Sequence, residues 1–403
     1  MGNLVKAINI GSGWQVDKKT GIEKPSTLHV GAWTKLIKKH FGSRLRFNDL
    51  TLLPEVDNQR INPEELETMY VALAELGWKI DKGPAKDAFQ HVAKQRRFNP
   101  VKEYLIGLEN DRNIQPLKID SLAYRYLQVE SELSNAMLAA CLVGAVARAL
   151  DNGCQMDYLT CLKGKQGIHK SGFWRTLAGP FFSDTKQDNP KDMRLAIGSC
   201  WIYEWPELET MVSRKDQGII KALITQRVDD FRPPYGSVIS KHPRKSILVG
   251  TCNKDDFLRD ETGSRRYWII ECAQKKGEQI NLDLVLEERD RIWKTALLAY
   301  RSGRKPMLSY ELEQKSILQN ENYEGEHPFD PAIQSALAKW GDFPFTIQQI
   351  LIESGLRELN KIDKSDIREA AIVLKKNGYV RDQHQTRING KRLRLWRRLE
   401  IQL

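Results

Sequence analysis

Hydrophobic and polar positions along the chain fall into three textures. From 31 to 110 the apolar residues recur at helical spacing. Asn62-Pro63-Glu64-Glu65 supplies an N-cap, a first-turn proline and acids at the positive end of the helix dipole, which predicts a helix stopping at Gly77. Further helices are predicted over Ala85–Lys94 and within 121–150, the latter with Ser131 or Ser134 as cap and Gly153 just past its end. Residues 1–30 are polar and rich in Gly and Lys, and read as a loosely ordered entry segment.

From 157 the pattern changes to short apolar runs separated by helix-length segments. Tyr158–Leu162, Cys200–Tyr203, Ile247–Thr251 and Tyr267–Ile270 each read as a buried strand, the sign of an α/β sheet with crossover helices. A helix over Leu282–Arg301 closes this region, and the polar stretch 303–328 reads as a connection. The third texture, 329–400, predicts helices at Asp330–Trp340, Thr346–Ser354 and Ser365–Asn377, then strand-like runs on either side of Asn389-Gly390. Three helices and a hairpin follow the order of a winged helix-turn-helix. The expected division is a mainly helical N-terminal domain over 1–110, an α/β domain over 111–310, a linker over 311–328 and a winged helix over 329–403.

Charge sharpens this picture. The 403 residues carry 63 Lys and Arg against 52 Asp and Glu, a net +11, which favours a polyanionic partner and nucleic acid first. The excess is concentrated: residues 375–398 hold nine Lys or Arg against the single acid Asp382. The six cysteines are scattered without a C-x-x-C pair, so free thiols are expected rather than a disulfide framework or a zinc site. No signal peptide is evident, and the longest apolar run, Ala136–Ala147, falls short of the about 20 residues that cross a bilayer. A cytoplasmic protein with no membrane partner is expected.

The candidate chemistry begins at Gly164-Lys165-Gln166-Gly167-Ile168-His169-Lys170-Ser171-Gly172, which follows a predicted strand and opens a predicted helix at Phe173–Ala178. That is the setting of a phosphate-binding loop, in which backbone N–H groups and a helix N-terminus cradle phosphates. Lys170 would neutralise the β- and γ-phosphates of ATP, and the Ser171 hydroxyl would sit on Mg²⁺. His169 departs from the pattern, which places Gly directly before the Lys, so a simple strand–helix turn stays open at this point. Downstream, Ser199–Glu204 is an apolar strand ending in a carboxylate, with Glu207 close behind. Ile247–Thr251 runs into Asn253, and Arg265-Arg266 precede the strand at Tyr267. Acids that hold Mg²⁺ and orient water, a polar sensor and arginines that stabilise transferring charge are what phosphoryl transfer needs.

These segments together resemble the virulence-associated protein E family. The resemblance rests on Gly-x-Gln-Gly-x-x-Lys-Ser, Trp201-Ile202-Tyr203-Glu204-Trp205-Pro206-Glu207-Leu208, the run Asp230–Gly236, and Val249–Asp260 leading into Thr262–Trp268. It covers roughly 45–400. It implies an AAA+ core related to superfamily 3 helicases of phages and mobile genetic elements, working as a homo-oligomeric ring, a hexamer, with ATP sites between subunits. Carried over residue by residue, it gives Lys170 the nucleotide lysine, Ser171 and Glu204 the metal, the pair Glu204 and Glu207 the acidic roles, Asn253 the sensor, and one of Arg265 and Arg266 the finger acting on a neighbouring subunit. It implies an ATP-driven helicase or replication initiator with single-stranded DNA in the ring channel and duplex at the winged helix. The alternative is a DNA-binding replication factor that binds nucleotide without hydrolysing it, because His169 has degraded the loop.

Two basic groups complete the reading. Arg227, Asp229, Arg232 and Arg244 fit a DNA or subunit contact and a structural ion-pair network equally well. In the tail, Arg387, Lys391, Arg392, Arg394, Arg397 and Arg398 alternate with Ile388, Leu393, Leu395 and Trp396, which puts cations on one face for phosphate contacts. The outward residues of the preceding helix (Asp366, Glu369, Lys375, Lys376) are expected to be mixed in sign.

Overall fold

The computed structural model describes residues 11–187, 189–210, 214–233, 238–255, 257–258, 264–273, 275, 277–323, 329–341, 343–388 and 391–399. The chain divides into two compact units, 1–322 and 323–403.

A parallel sheet lies at the heart of the first unit. Its strands are β1 (Leu159–Lys163), β2 (Phe182–Ser183), β3 (Ile202–Trp205), β4 (Ile247–Cys252) and β5 (Tyr267–Glu271), in the spatial order β5-β1-β4-β3-β2. Every neighbouring pair is parallel, from Tyr267↔Leu159 at one edge to Ile202↔Phe182 at the other. A parallel sheet is covered on both faces, which is why β1, β3, β4 and β5 read as largely apolar runs without strict alternation. The two-residue β2 is too short to leave such a pattern.

The covering helices include α1 (Glu132–Leu150), α2 (Lys170–Ala178) and α3 (Leu282–Arg301). α1 is 19 residues long and apolar enough by composition to span a bilayer, longer than the run anticipated. It is instead the core helix of this unit, buried nearly all round, and its Ala145 carbonyl accepts a 2.9 Å bond from the indole N–H of Trp201. Trp201 packs on Trp293 of α3 at 4.0 Å between ring centroids, and the Trp293 N–H donates to the Leu177 carbonyl of α2. Each such buried tryptophan removes about 150–250 Å² from water, on the order of 4–6 kcal/mol. All six cysteines are free.

Two stretches depart from expectation. The N-terminal region is mixed rather than mainly helical: besides helices at Val30–Phe41, Pro63–Glu75 and Lys82–Lys94 it holds a three-stranded and a four-stranded sheet. Leu45–Asn48 and Leu53–Val56, the longest strands of the second sheet, have four residues each, too few to show a period. Trp14–Val16 and Glu23–Thr27 pair within the segment read as loosely ordered. Residues 310–321, expected as linker, form a helix, α4 (Tyr310–Glu321), capped by the Ser309 hydroxyl. Its buried residues are Ser316 and Asn320, so no apolar stripe announces it.

The second unit packs α5 (Asp330–Trp340), α6 (Ile347–Glu353) and α7 (Lys364–Lys376) around Ile333, Leu337, Phe345, Ile350, Val373 and Trp396. Capping boxes at Thr346/Gln349 and Asp363/Asp366 start α6 and α7. Antiparallel pairs follow: β6 (Tyr379–Arg381) with β9 (Trp396–Arg398), and β7 (Thr386–Ile388) with β8 (Lys391–Leu393). Asn389-Gly390, expected to turn this hairpin, lie outside the described residues.

Candidate functional site

Loops leaving β1, β3 and β4 open at the carboxyl ends of the parallel strands, the edge where open α/β sheets bind ligands. The 164–169 loop begins at Gly164, where a Cβ would sit 2.9 Å from the Cys272 carbonyl oxygen, so only glycine permits the close approach. Gly167 has φ 86°. His169 takes φ 68° and ψ 30° as the N-cap of α2, the left-handed conformation glycine adopts without strain and histidine tolerates better than most residues. Its ring is turned toward the segment after β5, where Nδ1 lies 3.3 Å from the Ile280 carbonyl oxygen. The Ile280 N–H donates to the Ile168 carbonyl at 3.2 Å, so the loop is fastened there twice. Gly172 allows Leu282 to approach within 2.7 Å of where its Cβ would stand. Lys165 and Gln166 are exposed and Ile168 is buried.

Lys170 is only 7% exposed. Its ammonium donates to the carbonyls of Gly164 and Lys165 and to Oδ1 of Asn253, each at 2.8 Å. Burial lowers its pKa. One residue on, the Ser171 hydroxyl donates to Glu204 Oε1 at 2.6 Å, and the Thr251 hydroxyl donates to the same oxygen at 2.9 Å. Glu204 is fully buried; burial raises its pKa, and the two hydroxyls oppose that shift. Its other oxygen, Oε2, is buried without a partner among the described residues.

Asn253 joins the lysine to a second acid, though not to Glu207. The β3–β4 side of the site carries a short 3₁₀ helix, Leu208–Thr210, and Glu207 precedes it with φ 51° and an exposed side chain, using its carbonyl to receive the Thr210 N–H and hydroxyl. Glu209 points inward instead. Its Oε1 accepts from both the backbone N–H and the side-chain amide of Asn253, each at 3.0 Å. Sequence reading missed it because an acid two residues beyond Glu207 is only a candidate once the backbone turns. Lys170, Ser171, Glu204, Thr251, Asn253 and Glu209 thus form one connected cluster.

Unpaired buried carboxylate oxygens demand an explanation. Glu204 Oε2 and Glu209 Oε2 are both in that condition. Beside a hydroxyl and an ammonium at a helix N-terminus, they fit a site for polyphosphate, a hydrated divalent cation and water. No cluster of three or more His, Cys, Asp or Glu able to hold a metal by itself occurs among the described residues. A cation here would depend on Ser171, Glu204 and the bound phosphates.

Arg265 and Arg266 are placed apart from this cluster. They form a short helical turn with Ser264, fixed by buried Asn320 of α4, whose amide donates to the Ser264 and Tyr267 carbonyls at 2.7 and 2.9 Å. The turn leads into the amino end of β5, which runs parallel to β1 from Tyr267↔Leu159 to Glu271↔Lys163. Five strand residues at about 3.3 Å each separate it from the carboxyl edge, roughly 17 Å. Asp260–Gly263, the start of this motif, lie outside the described residues.

Elsewhere, Arg244 and Asp229 are a fully buried bidentate pair at 2.8 and 2.6 Å, and Arg227 donates to the Gly153 carbonyl. For Arg244 and Asp229 the structural alternative holds, while Arg227 is exposed. In the second unit, Arg387, Arg392 and Arg394 are exposed, while Arg397 is paired with Asp382 at 2.9 Å. Arg387 faces Arg392 directly across β7 and β8. Like charges in that position destabilise a ladder unless an anion lies over them. The Lys391 side chain lies outside the described residues. The mixed sign expected for α7 is corrected: Asp366 is buried, capping the helix and pairing with Arg357 at 2.8 Å, and Glu369 is half-buried. The exposed positions are Lys364, Ser365, Arg368, Lys375 and Lys376.

The family model described as the virulence-associated protein E-like domain matches residues 108–325. No curated protein matches the chain. Among solved structures, the A form apo structure of the NrS-1 C-terminal region is similar at 13% identity over 72% of this chain and 77% of that one, with a TM-score of 0.38. A second structure of that region, spanning 305–718, is 17% identical over the same shares with a TM-score of 0.42. Both are loose likenesses.

Proposed function

The chain belongs to the virulence-associated protein E-like family, whose model spans more than half of its 403 residues, and from that premise we propose an ATP-driven DNA helicase or replication initiator of a phage or mobile genetic element. The observation that carries the reading is the cluster at the carboxyl edge: Lys170 bonded to Asn253, and Ser171 bonded to Glu204, from the start of α2, the end of β3 and the loop after β4. The parallel order β5-β1-β4-β3-β2, with the loop after β1 at its carboxyl edge, supports this reading.

Bound MgATP would supply the γ-phosphoryl group and the divalent charge, held by the 164–171 loop, Lys170 and Ser171. Lys170 would exchange carbonyl partners for phosphate oxygens, a favourable trade for a partly desolvated ammonium. Glu204 holds the Ser171 hydroxyl in place and keeps a free oxygen for a water. Asn253 presents its amide between Lys170 and Glu209. Arg265 and Arg266, at the opposite end of β5, are out of reach of this site in their own chain; a ring would bring a neighbour's pair to it. In the second unit, the exposed cations of α7 and the β7–β8 hairpin support a winged helix that grips duplex phosphates.

The second reading, binding without hydrolysis, is motivated by His169. Its backbone holds the conformation a glycine would take, and its ring is engaged with Ile280. That favours an active site. DNA-stimulated phosphate release decides between the two: nucleotide binding with no release above background establishes the second.

A further inference from the structure

Glu209 enters the site because Leu208 lies across Gly250 of β4, where a Cβ would come within 2.6 Å of the leucine. From there one oxygen, Oε1, takes both N–H groups that Asn253 offers on that side, each at 3.0 Å. On the other side of the same amide, Oδ1 accepts from the Lys170 ammonium at 2.8 Å. An amide has one end that only donates and one that only accepts. A carboxylate can only accept and an ammonium can only donate, so Glu209 and Lys170 demand the same orientation of Asn253. Without Glu209 only the Lys170 ammonium holds that orientation, and an amide that turned over would face the lysine donor to donor.

We propose that Glu209 is the positioning residue of this site, gripping both N–H groups of Asn253 so that the amide oxygen stays toward Lys170. It acts through Asn253, and it takes the inward place that the sequence suggests for Glu207. The inference rests on the hydrolytic reading above. Geometry, not charge, is the active property: a glutamine carbonyl at this position can accept the same two bonds.

Steady-state ATP hydrolysis and fluorescent-nucleotide binding by the full chain test this, using Glu209→Ala, Glu209→Gln, Asn253→Ala and the Glu209→Ala/Asn253→Ala double variant. Glu209→Ala should lower kcat by on the order of 10–100-fold, as expected for a misplaced group, with nucleotide affinity little changed. Glu209→Gln should recover most of that loss. The double variant should be no slower than Asn253→Ala alone, because residues acting as a unit are not additive. Parental turnover in Glu209→Ala, losses that multiply in the double variant, or a glutamine variant as slow as the alanine one would each overturn the proposal. A parent that hydrolyses nothing overturns the hydrolytic reading and this one together, an outcome distinct from an active parent indifferent to Glu209.

Discussion

At the carboxyl edge of the parallel sheet, Lys170 and Glu204 are 7% and 0% exposed, and each is held by specific oxygens or hydroxyls. In the second unit, Arg368, Arg387, Arg392 and Arg394 stand in solvent. The first arrangement fixes a few charges at high desolvation cost, so each is indispensable and nearly insensitive to salt. The second spreads many cheap charges, so each is replaceable and all are screened together. Burial separates these two groups of charges, and the proposed roles differ in the same way.

Breaking the first arrangement should have the largest effect. Lys170→Ala should lower ATP turnover by about 10²–10³-fold or more, since a preorganised cation on the transferring charge is removed. Phosphate release at the parental rate would show that the 164–171 loop is not the nucleotide site. Next comes the distance between that loop and the Arg265-Arg266 turn. Lys170→Ala and Arg265→Ala/Arg266→Ala proteins should each be inactive, yet mixed in equal amounts they should regain about a quarter of the interfaces, if subunits join head to tail at random. A mixture as dead as its components would place the arginines in a structural role.

The cationic surface should yield smaller, graded effects. Replacing Arg387, Arg392 and Arg394 by Ala should flatten the dependence of log DNA affinity on log salt by about 0.9 per lost phosphate contact, equally for unrelated duplexes. An unchanged slope would mean that these side chains are simply solvated. The smallest effect concerns Glu204. Burial raises its pKa, so the folded protein binds that proton more tightly than the unfolded chain does. The stability it contributes is complete below the ordinary carboxyl range and is lost as pH rises through the raised value. Glu204→Gln should therefore melt a few degrees above the parent near pH 8, with the gap closing toward pH 4, while ATP turnover falls. A gap that does not depend on pH would remove the buried carboxylate from this account.

What the sequence made legible follows the strength of each signal. The strands β1, β3, β4 and β5 were readable because burial on both faces leaves four to six buried, largely apolar residues in a row. Helix α4 was not, because it docks through Asn320 and Ser316 rather than an apolar stripe. Lys170, Ser171, Glu204 and Asn253 could be named from their places at strand ends, where the fold brings them together. Glu209 could not, since its approach depends on a 3₁₀ turn and on Gly250 admitting Leu208. Asp366 was misjudged for a related reason: spacing places it on the helix surface, but a capping box draws it in.

His169 bears on how such loops are found. The position before Lys170 is defined by a left-handed backbone at φ 68°, not by the letter G. Residues that visit that region at modest cost, among them histidine, asparagine and aspartate, are admissible wherever their side chains have somewhere to go. Here the Ile280 carbonyl provides it. Genome surveys that recognise this loop by a fixed glycine would pass over copies like this one, and a pattern written as a torsion angle would recover them.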